Sequence, residues 1–209
     1  IIHNPQLVNS LSARGVSPVD SLQDVADGSK VLIRSHGVGP HVYEEAEAKH
    51  LDVVDATCPH VKKAQQDARK VINDKKALII VGEKDHPEVI SISQWGCNRA
   101  IIIDKVEEAK EIPYCEHMGV VVQTTFSQSR FKQIESVLAE KTDDLDVYMT
   151  ICTATRQRQE AAVELAKKVD AMIVIGGKNS ANTGRLAQVC AEQGCPTYHV
   201  ETASELNVA

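Results

Sequence analysis

The chain has 209 residues, with 23 basic against 29 acidic side chains and a formal charge of −6. At 43% hydrophobic and 25% charged it has the composition of a folded globular protein, which excludes disordered, collagenous and low-complexity classes. With only 3% aromatics and an acidic balance it is not built for broad nucleic-acid binding, and no apolar run approaches the ~18 residues of a membrane-spanning helix. The chain opens Ile1-Ile2-His3 without an initiator Met or a cleavable signal, so its length is expected to be that of a fragment.

Along the chain, short β-branched runs each stop at a polar loop and give way to a helical pattern. Val31-Leu32-Ile33 leads into Arg34-Ser35-His36-Gly37, and Val53-Val54 into Asp55-Ala56-Thr57-Cys58. Pro59 suits a first helical position, and Val61, Ala64, Ala68, Val71 and Ile72 form one apolar stripe after it. Ala77 to Val81 leads into the loop from Gly82 to Glu88, and Val120-Val121-Val122 into Gln123-Thr124-Thr125. Val147-Tyr148-Met149 precedes Cys152. The helix that follows is expected to turn Ala161, Ala162, Leu165, Ala166 and Val169 inward, with Lys167 and Lys168 at its C-terminal end. Ala171 to Ile175 precedes Gly176-Gly177-Lys178-Asn179-Ser180, and a last helix runs through Leu186 and Val189 to Gly194. Apolar strands alternating with helices predict an α/β protein whose parallel sheets are covered on both faces.

An internal repeat organises the chain. Cys58 and Cys152 are 94 residues apart, and Ala77-Leu78-Ile79-Ile80-Val81-Gly82 returns at the same offset as Ala171-Met172-Ile173-Val174-Ile175-Gly176. Lys84 then falls on Lys178, His86 on Ser180 and Glu88 on Asn182. A period this long implies duplicated domains rather than a solenoid.

Six cysteines, at 58, 97, 115, 152, 190 and 195, contain no CxxC pair and need no disulfides in a chain of this size. Reduced thiols and a cytoplasmic setting are expected. Cys58 and Cys152 each follow a strand and open a helix, where unpaired backbone N–H groups favour a thiolate. Two such positions make ligation of a shared iron or iron–sulfur centre a rival to the plain reading, two small buried hydrophobes. The other four are read as buried hydrophobes. His86 and Glu88 can supply an anion-binding donor and a proton donor; the plain reading is a capped helix start with a solvated glutamate. The stretch Gly176 to Gly184 is either a phosphate cradle or an ordinary Asn/Gly turn, and is not a Walker A loop. With His3, His36 and Thr124 it places neutral donors where open α/β sheets bind ligands, and such donors suit a compact anion such as a diphosphate.

Taken together these residues resemble the 4-hydroxy-3-methylbut-2-enyl diphosphate reductases, the last enzymes of the methylerythritol phosphate route to isoprenoids. The matching segments are His3-Asn4, Ser35-His36-Gly37-Val38, Asp55-Ala56-Thr57-Cys58-Pro59, His86-Pro87-Glu88, Gln123-Thr124-Thr125, Cys152-Thr153-Ala154-Thr155 with Arg158-Gln159, and Lys178-Asn179-Ser180 through Asn182. They occur in family order across nearly the whole chain.

The resemblance implies a pseudo-symmetric, three-lobed α/β arrangement of small parallel-sheet domains around a [4Fe–4S] cluster. The lobes would span residues 1–58 (partial), 59–149 and 150–209 (partial). Cys58 and Cys152 would be two of three cluster ligands. Glu88 would deliver the proton, Thr124 would hold the hydroxyl end, and His3, His36, His86, Ser180 and Asn182 would bind the diphosphate. The reaction is a reductive dehydroxylation yielding isopentenyl and dimethylallyl diphosphate, with electrons from ferredoxin or flavodoxin. The family's first cysteine, in a Gly-Phe-Cys motif before the position of His3, and a serine-bearing loop beyond the Asn182 region are not among these 209 residues. The third cluster ligand is therefore absent from this chain, which is expected to be inactive by itself. The rival readings are a metal-free α/β module that binds a phosphorylated small molecule, and a mononuclear iron or zinc hydrolase using His36, His86 and Glu88.

Overall fold

The computed structural model describes residues 4–206. These fall into two compact units, one formed by Val19–Ile151 and the other by residues 4–18 together with 152–206.

The first unit holds two parallel sheets. Strand β1 (Lys30–Ile33) is followed by helix α2 (Pro40–Ala48) and pairs with β2 (Asp52–Asp55). Helix α3 (Pro59–Asn73) leads to a four-stranded sheet of β3 (Ala77–Val81), β4 (Ile101–Ile103), β5 (His117–Val122) and β6 (Asp144–Tyr148), ordered β4-β3-β5-β6. Between these strands run α4 (Pro87–Trp95), α5 (Val106–Glu111) and α6 (Gln128–Ala139). Helices α2, α3 and α4 each open on a proline, whose missing N–H costs nothing there and whose fixed φ suits the first turn.

Alternation along β3 builds two cores. Ile79 and Val81 join Met118, Val120, Val122, Phe131, Ile134 and Leu138 under α5 and α6. Leu78 and Ile80 turn the other way and pack with Val121, Val71, Ala68, Val89 and Ile92 under α3 and α4. Burying these side chains stabilises the unit by roughly 1.5–3 kcal/mol for each large aliphatic residue. Helix α3 buries the expected stripe of Val61, Ala64, Ala68 and Val71, with Gln65 buried among them. Gly119 is required where β5 passes beneath it, because a Cβ there would lie 2.4 Å from Val71 Cγ2.

The second unit contains α1 (Pro5–Ser12), α7 (Thr153–Ala166), and the parallel pair β7 (Met172–Ile175) and β8 (Thr197–Val200) joined by α8 (Ala181–Ala191). Its core is Ala166, Met172, Val174, Cys190 and Cys195.

Two expectations are corrected here, and two strands, β4 and β8, stand outside the runs read from the sequence. Coverage on both faces holds for β3 and β5, but Leu32, Val54, Ile173 and Ile175 are exposed, so the two-stranded sheets are covered on one face among the described residues. Helix α7 turns Thr155, Gln159 and Ala166 inward; Leu165 is exposed and Val169 lies beyond the helix end. Its start at Cys152 sets the phase of the helix, and polar residues occupy much of the inner face.

No helix among the described residues is long and apolar enough to cross a membrane. The 94-residue repeat reappears in the local structure. Cys58 and Cys152 are both helix N-caps, as are His86 and Ser180. Gly82 and Gly176 each lie pressed beneath the third residue of the following helix, Val89 and Thr183 respectively.

Candidate active site

The order β4-β3-β5-β6 sends the chain one way after β3 and the other way after β5, which opens a crevice at their C-terminal ends. Val81 pairs with Val122 across this point, and Gln123 N–H continues the ladder to Val81 O at 2.8 Å. The loop bearing His86 and Glu88 and the loop bearing Thr124 therefore leave the sheet side by side. Gln123 fastens them together, its buried Oε1 accepting from Glu83 N–H at 2.9 Å and its Nε2 donating to Thr125 Oγ1 at 3.2 Å.

Glu88, in the first turn of α4, is only 2% exposed. Thr124 clasps its carboxyl with the main-chain N–H donating to Oε1 at 2.7 Å and the hydroxyl donating to Oε2 at 2.9 Å. Burial pushes the carboxyl above its ordinary range, against the two Thr124 donors, which favour the ionised form. A carboxyl shifted in this direction holds its proton to higher pH than a solvated one. The solvated glutamate of the plain reading is thus replaced by a buried acid.

His86 caps the same helix, its Nδ1 accepting from Glu88 N–H at 3.2 Å. An accepting Nδ1 places the proton of a neutral ring on Nε2. The His36 ring meets it edge-on, with centroids 5.3 Å apart and planes at 86°. His36 sits in the turn after β1, just before Gly37, whose φ of 70° needs a residue without Cβ strain.

Cys58 lies beside this turn, its N–H donating to Ser35 O at 3.0 Å. Asp55 shapes the cysteine loop. Its Oδ1 accepts from Thr57 N–H at 2.9 Å, while Oδ2 takes Lys62 Nζ at 2.7 Å and Tyr43 Oη at 3.2 Å. Partial burial alone would raise the Asp55 pKa, but the Lys62 ammonium and the Thr57 donors hold it at about 2.

In the second unit Cys152 caps α7, and Ser180 caps α8 with Oγ accepting from Thr183 N–H at 3.4 Å. Asn182 follows in the first turn of α8 with a buried Oδ1 that has no hydrogen-bond partner among the described residues. The structure therefore brings His36, Cys58, His86, Glu88 and Thr124 together in one unit, and Ser180 and Asn182 on one loop of the other. His3 lies outside the described residues.

Cys58 and Cys152 are free, half-buried thiols without a side-chain capping bond. Each sulfur stands at a helix N-cap and makes no capping bond, so both fit as iron–sulfur ligands in donor type. Among the described residues no three of His, Cys, Asp and Glu are grouped so as to hold a metal ion. That applies to His36, His86 and Glu88, the donors of the mononuclear alternative. Cys190 and Cys195 are buried as expected, Cys115 is half-buried, and Cys97 is exposed, contrary to its reading as a core residue. Sequence reasoning missed Asp55, Gln65, Ser91 and the clamp role of Gln123. The one available signal was Gln65, a polar residue on an apolar stripe.

A buried carboxyl on a histidine-capped helix, at the switch point of a parallel sheet, marks an α/β enzyme site. The LytB protein family profile matches residues 1–209, and the chain belongs to this family. It is 44% identical over 209 residues to the 4-hydroxy-3-methylbut-2-enyl diphosphate reductase of Pelobacter propionicus, covering all of this chain and 74% of that protein. The enzyme of the same name from Trichlorobacter lovleyi is 46% identical over 207 residues, with 99% and 74% covered. Among solved structures, the E-1-hydroxy-2-methyl-but-2-enyl-4-diphosphate reductase of Plasmodium falciparum superposes with a TM-score of 0.94 at 28% identity, over 99% of this chain and 66% of that one. A second structure, (E)-4-hydroxy-3-methyl-but-2-enyl diphosphate reductase, the terminal enzyme of the non-mevalonate pathway, gives a TM-score of 0.69 at 41% identity, over 100% and 75%.

Proposed function

We propose that this chain carries the proton-donating and diphosphate-binding residues of a 4-hydroxy-3-methylbut-2-enyl diphosphate reductase. The reaction takes up two electrons and two protons, breaks the allylic C–O bond and releases water with isopentenyl or dimethylallyl diphosphate. The observation that carries this reading is the Glu88 carboxyl, buried and clasped by Thr124, on the helix that His86 caps next to His36, in a chain of the LytB family. Glu88 holds a proton at its carboxyl and gives it to the departing oxygen, while Thr124 fixes the carboxyl and the hydroxyl end of the substrate. His86 donates from Nε2 to the diphosphate, with His36, His3, Ser180 and Asn182 as further donors. The first turn of α8 adds its dipole to the anion site.

Cys58 and Cys152 are two of the three ligands of a [4Fe–4S] cluster, and the three sheets correspond to three lobes spanning 1–58, 59–149 and 150–209. When bound, the cluster supplies the electrons, taken from ferredoxin or flavodoxin, and a Lewis-acid iron. The free thiols suit a reducing cytoplasm. The test is iron content. Full-length protein purified anaerobically and reconstituted with iron and sulfide should be brown, hold about four irons per chain, and lose most of them on Cys58→Ser. A folded, colourless protein without iron rejects the reading.

A further inference from the structure

Helix α4 also grips the loop that carries His36. Ser91 Oγ donates to His36 O at 3.0 Å, and Trp95 Nε1 donates to Val38 O at 2.9 Å. Gln94 lies so close to Gly39 that a Cβ there would fall 2.3 Å from its Oε1. Ser91 Oγ in turn accepts from Gln65 Nε2 at 2.9 Å. Gln65 belongs to α3, the helix that begins after Cys58. A Cβ on Gly37 would lie 2.4 Å from the same Gln65 nitrogen, so the peptide after His36 rests directly on the pair. Ser91 is 2% and Gln65 3% exposed, which makes their bonds costly to leave unmade.

A serine hydroxyl has one hydrogen. With Gln65 donating into its lone pair, that hydrogen is directed at the His36 carbonyl, and the trio has a single arrangement. We propose that Ser91 and Gln65 are positioning residues of the diphosphate site. They fix the His36 main chain, and with it the imidazole, relative to His86, and they tie that geometry to the helices that start at Cys58 and His86. This inference rests on the reading of His36 and His86 as diphosphate donors.

The experiment uses the full-length, cluster-loaded protein, with inorganic diphosphate as the calorimetric probe and steady-state kinetics beside it. Ser91→Ala should weaken diphosphate about five- to tenfold and raise KM by a similar factor while kcat stays within about twofold. Ser91→Thr, which keeps the hydroxyl, should restore affinity to within about twofold of the parent. Gln65→Met, of similar length but unable to donate, should give the same KM-selective loss, and it decides the matter should Ser91→Ala not fold. Parent-like affinity in either variant, or a fall in kcat at unchanged KM, overturns the proposal. His36→Ala separates the two levels of inference. If it binds diphosphate as well as the parent, the diphosphate reading itself fails; if it binds weakly while Ser91→Ala does not, only the positioning role fails.

Discussion

Glu88 is a carboxyl whose neutral form the fold prefers. Because burial raises its folded-state pKa above the ordinary 4.5, the native state holds this proton over a range where the unfolded chain has lost it. The contribution is fully present below 4.5 and is lost as pH rises from there through the raised folded value. Glu88→Gln removes that pH-dependent term, so denaturant midpoints measured from pH 5 to 9 should fall less steeply in the variant than in the parent. Parallel profiles would show that the group is not perturbed. The same substitution should leave bound iron unchanged and lower kcat about 10²- to 10⁴-fold, the range of a general acid. Near-normal turnover would remove Glu88 from the mechanism. In the sequence, the family motif marks Glu88 as an acid, but nothing local shows that it is buried. Its burial depends on Thr124, 36 residues away, reaching it once β5 pairs with β3, and no local pattern encodes that pairing.

At the scale of elements, the repeat was the strongest sequence signal and the one that translates most directly into geometry. Gly82 and Gly176 close the equivalent strands β3 and β7, and neither has room for a methyl group. A Cβ on Gly82 would lie 2.7 Å from Val89 Cγ2 and 2.8 Å from Gln123 Oε1; on Gly176 it would lie 2.5 Å from Thr183 Oγ1. Each Gly→Ala change should therefore destabilise by about 1–3 kcal/mol in chemical denaturation, as overpacking does. Gly82→Ala should also lower turnover, because Gln123 joins the Glu88 and Thr124 loops. Unchanged stability in both variants would argue that the two strand ends are not built alike. Strands β3 and β5 were legible because both of their faces are covered and their apolar runs are continuous. The half-polar β8 was not, since it offers no apolar run; β4 does carry one, Ile101 to Ile103, but no ligand-type loop follows it to draw attention to it. The inner face of α7 was misread for a related reason. Its inward Thr155 and Gln159 are polar, so Ala162 and Ala166 are left to meet the core while Leu165 points to solvent.

For the whole molecule, the family motifs in chain order carried more information than any composition or periodicity, because each motif from Ser35 onward follows a different strand and only folding shows which of them meet. The structure unites His36, Cys58, His86, Glu88 and Thr124 within one unit and leaves Cys152, Ser180 and Asn182 to the other. The chain spans about three quarters of the length of its curated relatives, so the decisive assay belongs to the full-length protein. Anaerobic, iron-reconstituted full-length protein, given a low-potential reductant and 4-hydroxy-3-methylbut-2-enyl diphosphate, should release isopentenyl and dimethylallyl diphosphate, separable by chromatography. Intact substrate recovered from a preparation that holds its full complement of iron would contradict the account.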